Sequence, residues 1–159
     1  ATYFSPLAEN LRLACQLPVA GLHVDAVRAP DELVGVADWL PSHKVLSVGI
    51  VDGRNIWRTD LDAALQKLRP VADKHQGEVW LAPSCSLLHV PFSLEAETQL
   101  DAEVKSWLAF AVEKLDELRV LATALSRDEA AVDDELHAAR TALAARRASP
   151  RVHLSLIHI

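Results

Sequence analysis

Three short runs of mostly apolar residues, each followed by positions with helical spacing, constrain this chain more than any other feature. They are Gly21–Val27, Val45–Ile50 and Glu78–Ala82, separated by helical segments of one to two dozen positions. Antiparallel strands can be joined by two residues, whereas parallel strands need a crossover of a dozen or more, usually a helix. The spacing therefore predicts βαβ units and a parallel sheet. A doubly wound sheet and a (β/α)8 barrel both fit, and in both, ligands meet the carboxyl ends of the strands. Neither GxGxxG nor GxxxxGK[ST] occurs, so no nucleotide motif favours the doubly wound form.

The helices are read from periodicity and punctuation. Leu7, Leu11, Ala14 and Cys15 predict a helix over Pro6–Leu17, stopped by Pro18. A second opens at Pro30-Asp31-Glu32, with Asp31 as its expected cap and Leu33, Val36, Ala37 and Leu40 on one face. Thr59 and Asp62 resemble a capping box for a third, with Leu61, Leu65, Leu68 and Val71 on one side. From near Leu100, the residues Val104, Trp107, Leu108, Ala111, Leu115, Leu118, Ala122 and Leu125 predict one continuous helix of about seven turns. Ser126 and Glu129 form a further capping-box pattern before an alanine-rich helix over Ala130–Arg147.

A formal net charge of −6 argues against a nucleic-acid or anionic-membrane surface. Apolar runs are broken well before the ~20 residues a membrane span needs. Two cysteines 70 positions apart, Cys15 and Cys85, do not make a secreted disulfide scaffold, so a cytoplasmic location is expected. The chain has no methionine at all, which leads us to expect an internal piece of a longer protein. Residues 149–159 are expected to be either a non-native tail or the start of another strand.

Polar residues cluster at the expected strand ends: His23 and Asp25, then Asp52 to Asn55, then Ser84 to His89. His23 and Asp25, two apart on a strand, share a face and could serve acid–base chemistry, a metal or a structural polar layer. One histidine and one carboxylate are too few for zinc, which takes three or four protein ligands. Cys85 could be a nucleophile assisted by His23, with His89 a poorer partner, but a cysteine packed as a small hydrophobe is the simpler reading. Arg54 or Arg58 could clamp a carboxylate, or an Arg–Asp pair could merely hold the loop. Trp57, Trp80 and Trp107 are expected to pack, and Arg140, Arg146 and Arg147 to form a solvated face. A binding module would need a groove lined by Trp39 or Trp57.

The segments LHVD (22–25), VGIVDGRNIWR (48–58), SCSLLHVP (84–91) and LDAEVKSW (100–107), in this order, resemble the cobalamin-independent methionine synthases. The likeness runs from about Ala1 to about Leu125. It implies a fold of two face-to-face (β/α)8 barrels, with residues 1–148 part of the amino-terminal one. The expected fold is thus a partial (β/α)8 TIM barrel, three parallel strands with intervening helices and long carboxyl-terminal helices. It also implies methyl transfer from a 5-methyltetrahydrofolate polyglutamate to homocysteine. In that family zinc sits in the carboxyl-terminal barrel on His, Cys, Glu and Cys ligands, outside this chain. Cys85 resembles the duplicated counterpart of one zinc cysteine, His23 sits where the other barrel has ligands, and Asp25 stands in place of a cysteine. No catalytic, cofactor-binding or metal residue transfers to this chain, and a structural role beside the catalytic barrel is expected.

Overall fold

A computed structural model describes residues 1–126 and 129–152. The strands are β1 (Gly21–Asp25), β2 (Val45–Val51) and β3 (Val79–Pro83), hydrogen-bonded in that order and all parallel. Helix α1 (Leu11–Gln16) precedes β1, while α2 (Leu33–Trp39) and α3 (Leu61–Lys74) are the two crossovers. After β3 come α4 (Ala102–Ser106), α5 (Ala111–Leu125) and α6 (Asp133–Ala148). This is a partial α/β fold, three parallel strands interleaved with helices and followed by long helices, consistent with a fragment of a TIM barrel.

Strand alternation separates the two sheet faces. Leu22, Leu46 and Val79 form one cross-strand row, and Val24, Val48 and Leu81 the next. Both rows pack on the helices, in a core with Leu33 and Val36 of α2, Leu65, Leu68 and Val71 of α3, Leu121 of α5 and Leu136 of α6. The opposite face carries the row His23, Ser47, Trp80 and then the row Asp25, Gly49, Ala82. Trp80 does not pack as expected: it is 55% exposed, and its indole N–H donates to Glu78 at 2.8 Å.

At the amino ends of the strands, buried Lys44 donates from Nζ to the carbonyls of Cys15 and Leu17 at 2.8 and 2.5 Å. A cation there satisfies carbonyls that the end of α1 leaves open. The His75 Nε2 lies 3.1 Å from the Lys44 carbonyl oxygen. Cys15 and Cys85 are both free and buried, and burial pushes the Cys15 thiol pKa up. Among the described residues no helix is long and apolar enough to cross a membrane.

Several helix expectations need correction. The cap of α3 is Asp60, whose carboxylate accepts from the Ala63 N–H at 3.0 Å, whereas Thr59 bonds Glu117 and Asp62 pairs with Arg140. Asp31 makes no capping bond, and the neighbouring Glu32 reaches back to the N–H groups of Leu7 and Ala8, both at 2.6 Å. Ser126 donates to the Ala122 carbonyl and Glu129 pairs with Arg69, so each member of that expected box has another partner.

The seven-turn helix is broken into α4 and α5 at Trp107–Phe110, because that segment bonds across to the loop after β2. The Arg58 N–H donates to the Trp107 carbonyl at 2.9 Å and the Ala109 N–H to the Ile56 carbonyl at 2.8 Å. The Glu113 carboxylate then receives the Phe110 N–H and starts α5. That helix is also turned from its expected orientation: Lys114, Glu117, Leu118, Val120, Leu121 and Ala124 are buried, whereas Leu115 is 55% exposed. The reading of the last residues as tail or strand falls largely on 153–159, outside the described residues.

Candidate functional site

The carboxyl ends of the strands bring together the polar residues that the sequence pointed to. His23 leaves β1 on the open face, its ring beside Gly49 of β2. A Cβ on Gly49 would come within 2.8 Å of the Ser84 Cα and 3.1 Å of the His23 Cε1, so only glycine lets the third strand's end and the imidazole close in. The ring Nδ1 lies 2.9 Å from the Ser47 hydroxyl and Nε2 lies 3.4 Å from the Ser84 carbonyl. A carbonyl only accepts, so this geometry favours a proton on Nε2, with Ser47 donating to Nδ1. Burial lowers the His23 pKa. The Ser84 carbonyl and Asp25 oppose that shift, while the amino terminus reinforces it.

Asp25 serves the backbone. One carboxylate oxygen accepts from the N–H groups of Val27 and Arg28 and the other from Phe4, each at 3.0 Å. The residue is 3% exposed, so these bonds replace water around a buried charge. Phe4 holds a left-handed backbone with φ of 71°, and the Arg54 guanidinium lies 4.6 Å over its ring. Of the roles weighed for His23 and Asp25, the bonds describe a structural polar layer.

The loop after β2 is likewise closed on itself. Asp52 accepts from the Arg54 N–H at 2.9 Å and the Asn55 amide at 2.8 Å, with the Arg28 guanidinium 3.8 Å away. An Arg–Asp pair thus does hold the loop, but its arginine is Arg28, while Arg54 packs on Phe4. The Ser84 hydroxyl accepts from the Gly53 N–H at 3.2 Å, and a Cβ on Gly53 would meet the Cys85 carbonyl at 2.7 Å. Close approach of the two loops therefore requires glycine at this position. Cys85 is buried, with Sγ 3.8 Å from the Ser86 carbonyl, and among the described residues no hydrogen bond joins it to an imidazole. His89 is exposed.

These side chains do not fit a zinc ion. Both Asp25 oxygens and both His23 nitrogens are engaged within the chain. Among the described residues no three His, Cys, Asp or Glu are grouped as a metal would require.

The sequence reading missed two buried charged side chains behind this mouth. Lys114 is fully buried and donates from Nζ to the Trp57 carbonyl at 3.1 Å. Glu117, one turn on, accepts from the Thr59 N–H at 2.8 Å and its hydroxyl at 2.6 Å. Burial pushes the Glu117 pKa up, against the Thr59 bonds and the charges of Lys114 and Arg58. Burial also pushes Lys114 down, against Glu117 and Asp52. The signal was present: a lysine and a glutamate three apart, on the face of the helix that also carries Leu118 and Leu121.

The basic residues of α6 form a docking face as well as a solvated one. Arg140 grips Asp62 with two nitrogens at 2.7 and 2.8 Å, Arg147 reaches Asp60 at 3.1 Å, and Arg146 lies 3.8 Å over the Trp57 ring. Trp57 is therefore covered by a cation while 38% exposed, and of the three tryptophans expected to pack only Trp107 is buried.

Residues 1–76 match the family model described as cobalamin-independent synthase, N-terminal domain. The match spans α1, β1, α2, β2 and α3.

Proposed function

Since residues 1–76 match the amino-terminal domain of the cobalamin-independent synthases, we propose that this chain is part of a methionine synthase of that kind. The parent enzyme would move a methyl group from a 5-methyltetrahydrofolate polyglutamate to homocysteine. In this reading the carboxyl-terminal barrel of the parent would hold zinc, which when bound would supply a lowered pKa for the homocysteine thiol. The enzyme works in the cytoplasm, where Cys15 and Cys85 remain thiols.

The stretch described here supports that barrel and touches no reacting atom. The observation that carries this reading is the engagement of Asp25, His23 and Asp52 at the strand ends: Asp25 with three N–H groups, His23 with Ser47 and Ser84, Asp52 with its own loop. A thiol hydrolase or transferase built on Cys85 and His23 gains no support, because the sulfur faces the Ser86 carbonyl and the imidazole is bonded elsewhere. The test is Cys85→Ser in the full-length enzyme. Methionine formation and zinc content should match those of the unsubstituted enzyme, whereas loss of turnover or of a zinc equivalent would show that this segment takes part in the chemistry.

A further inference from the structure

We propose that the cleft between the β2–α3 loop and the last turns of α6 binds a small polyanion through its carboxylate or phosphate groups. The cleft encloses about 580 Å³, inside the range of roughly 300–1,000 Å³ common to small-molecule sites. Arg58, Lys67, Arg146 and Arg147 line it against two carboxylates, Asp52 and Asp60. Both carboxylates are already engaged. Asp52 serves the Arg54 N–H, the Asn55 amide and Arg28, while Asp60 caps α3 and pairs with Arg147.

The remaining cations lack such partners. Lys67 and Arg146 make no ion pair with a carboxylate among the described residues. Arg146 lies half-buried on the Trp57 ring, so its guanidinium has lost hydration without gaining a counter-charge. The Arg58 Nε is buried with no hydrogen-bond partner, and the carboxylate it senses, Glu117, is already doubly bonded by Thr59. Burying a donor without an acceptor is unfavourable, and planar guanidinium groups match the paired oxygens of carboxylates and phosphates. Ile50, Trp57 and Leu143 give the same cleft apolar wall for the body of such a molecule. This site stands apart from the proposed function and needs neither zinc nor methyl transfer.

The test is isothermal titration of the purified chain at low ionic strength with citrate and with inorganic pyrophosphate as probes. One saturable site should appear for at least one probe. Citrate alone would assign carboxylate recognition and pyrophosphate alone phosphate recognition. Lys67→Ala and Arg146→Gln should each weaken it by about tenfold or more, the effect of losing one charge-assisted contact. Lys74→Ala, an exposed lysine outside the cleft that pairs with Asp38, should leave it unchanged. Lys67 is exposed on α3, so its variant keeps the test decisive if Arg146→Gln impairs folding. Failure of both probes to saturate, or unaltered binding in Lys67→Ala, would overturn the proposal.

Discussion

His23 accepts from Ser47 at Nδ1, points Nε2 at the Ser84 carbonyl, and has its pKa lowered chiefly by burial. The sign of the resulting pH dependence follows directly. A folded-state pKa below the reference value of 6.5 means that the folded chain prefers the neutral ring. That contribution is whole above 6.5 and is lost as pH falls through the folded value. Urea midpoints measured from neutral pH down into the acid side of the imidazole range should fall, and fall less steeply in His23→Gln. An identical pH profile in the variant would contradict this account of the residue. Asp25 belongs to the same scale: its type and place were evident in the sequence, but not its three N–H donors, which come from residues 4, 27 and 28.

At the scale of elements, α5 is the part that differs most from expectation, and the buried side chains of Lys114 and Glu117 explain why. They fasten the loop after β2 through Trp57 and Thr59, and so fix which side of the helix faces inward. Removing the Glu117 carboxylate leaves the Thr59 N–H and hydroxyl without their acceptor, and an unsatisfied buried donor typically costs about 1–3 kcal/mol. Glu117→Ala should lose that order of stability in denaturant titrations, and Arg140→Ala, whose ion pair with Asp62 is well exposed, distinctly less. Comparable losses in the two variants would argue that Glu117 is no more than a surface charge. The strands and α2 and α3 were legible because apolar period and breakers coincide at Leu46, Val48 and Ile50 or at Leu61, Leu65 and Leu68. The break at Trp107–Phe110 was not, because its residues are apolar throughout and continue the helical count. What stops the helix there is hydrogen bonding to Ile56 and Arg58, some fifty positions earlier. The α6 arginines were legible in part: Arg140 and Arg147 are exposed as a charged stripe suggests, but their contacts with Asp62 and Asp60, and that of Arg146 with Trp57, depend on residues far away in sequence.

At the scale of the whole molecule, the parallel sheet gathers His23, Asp25, Asp52 and Cys85 at one end, as a barrel does with its working residues. Hydrogen bonds around them tie that end shut, holding the first residues of the chain to β1 and the loop after β2 to the loop after β3. Cobalt(II) titration of the purified chain tests this account most directly, because thiolate ligation produces an absorption band that imidazole or carboxylate ligation alone does not. The account predicts no thiolate–cobalt band that depends on Cys85. A stoichiometric band abolished by both Cys85→Ser and His23→Gln would mean that these donors converge on a metal, contradicting it.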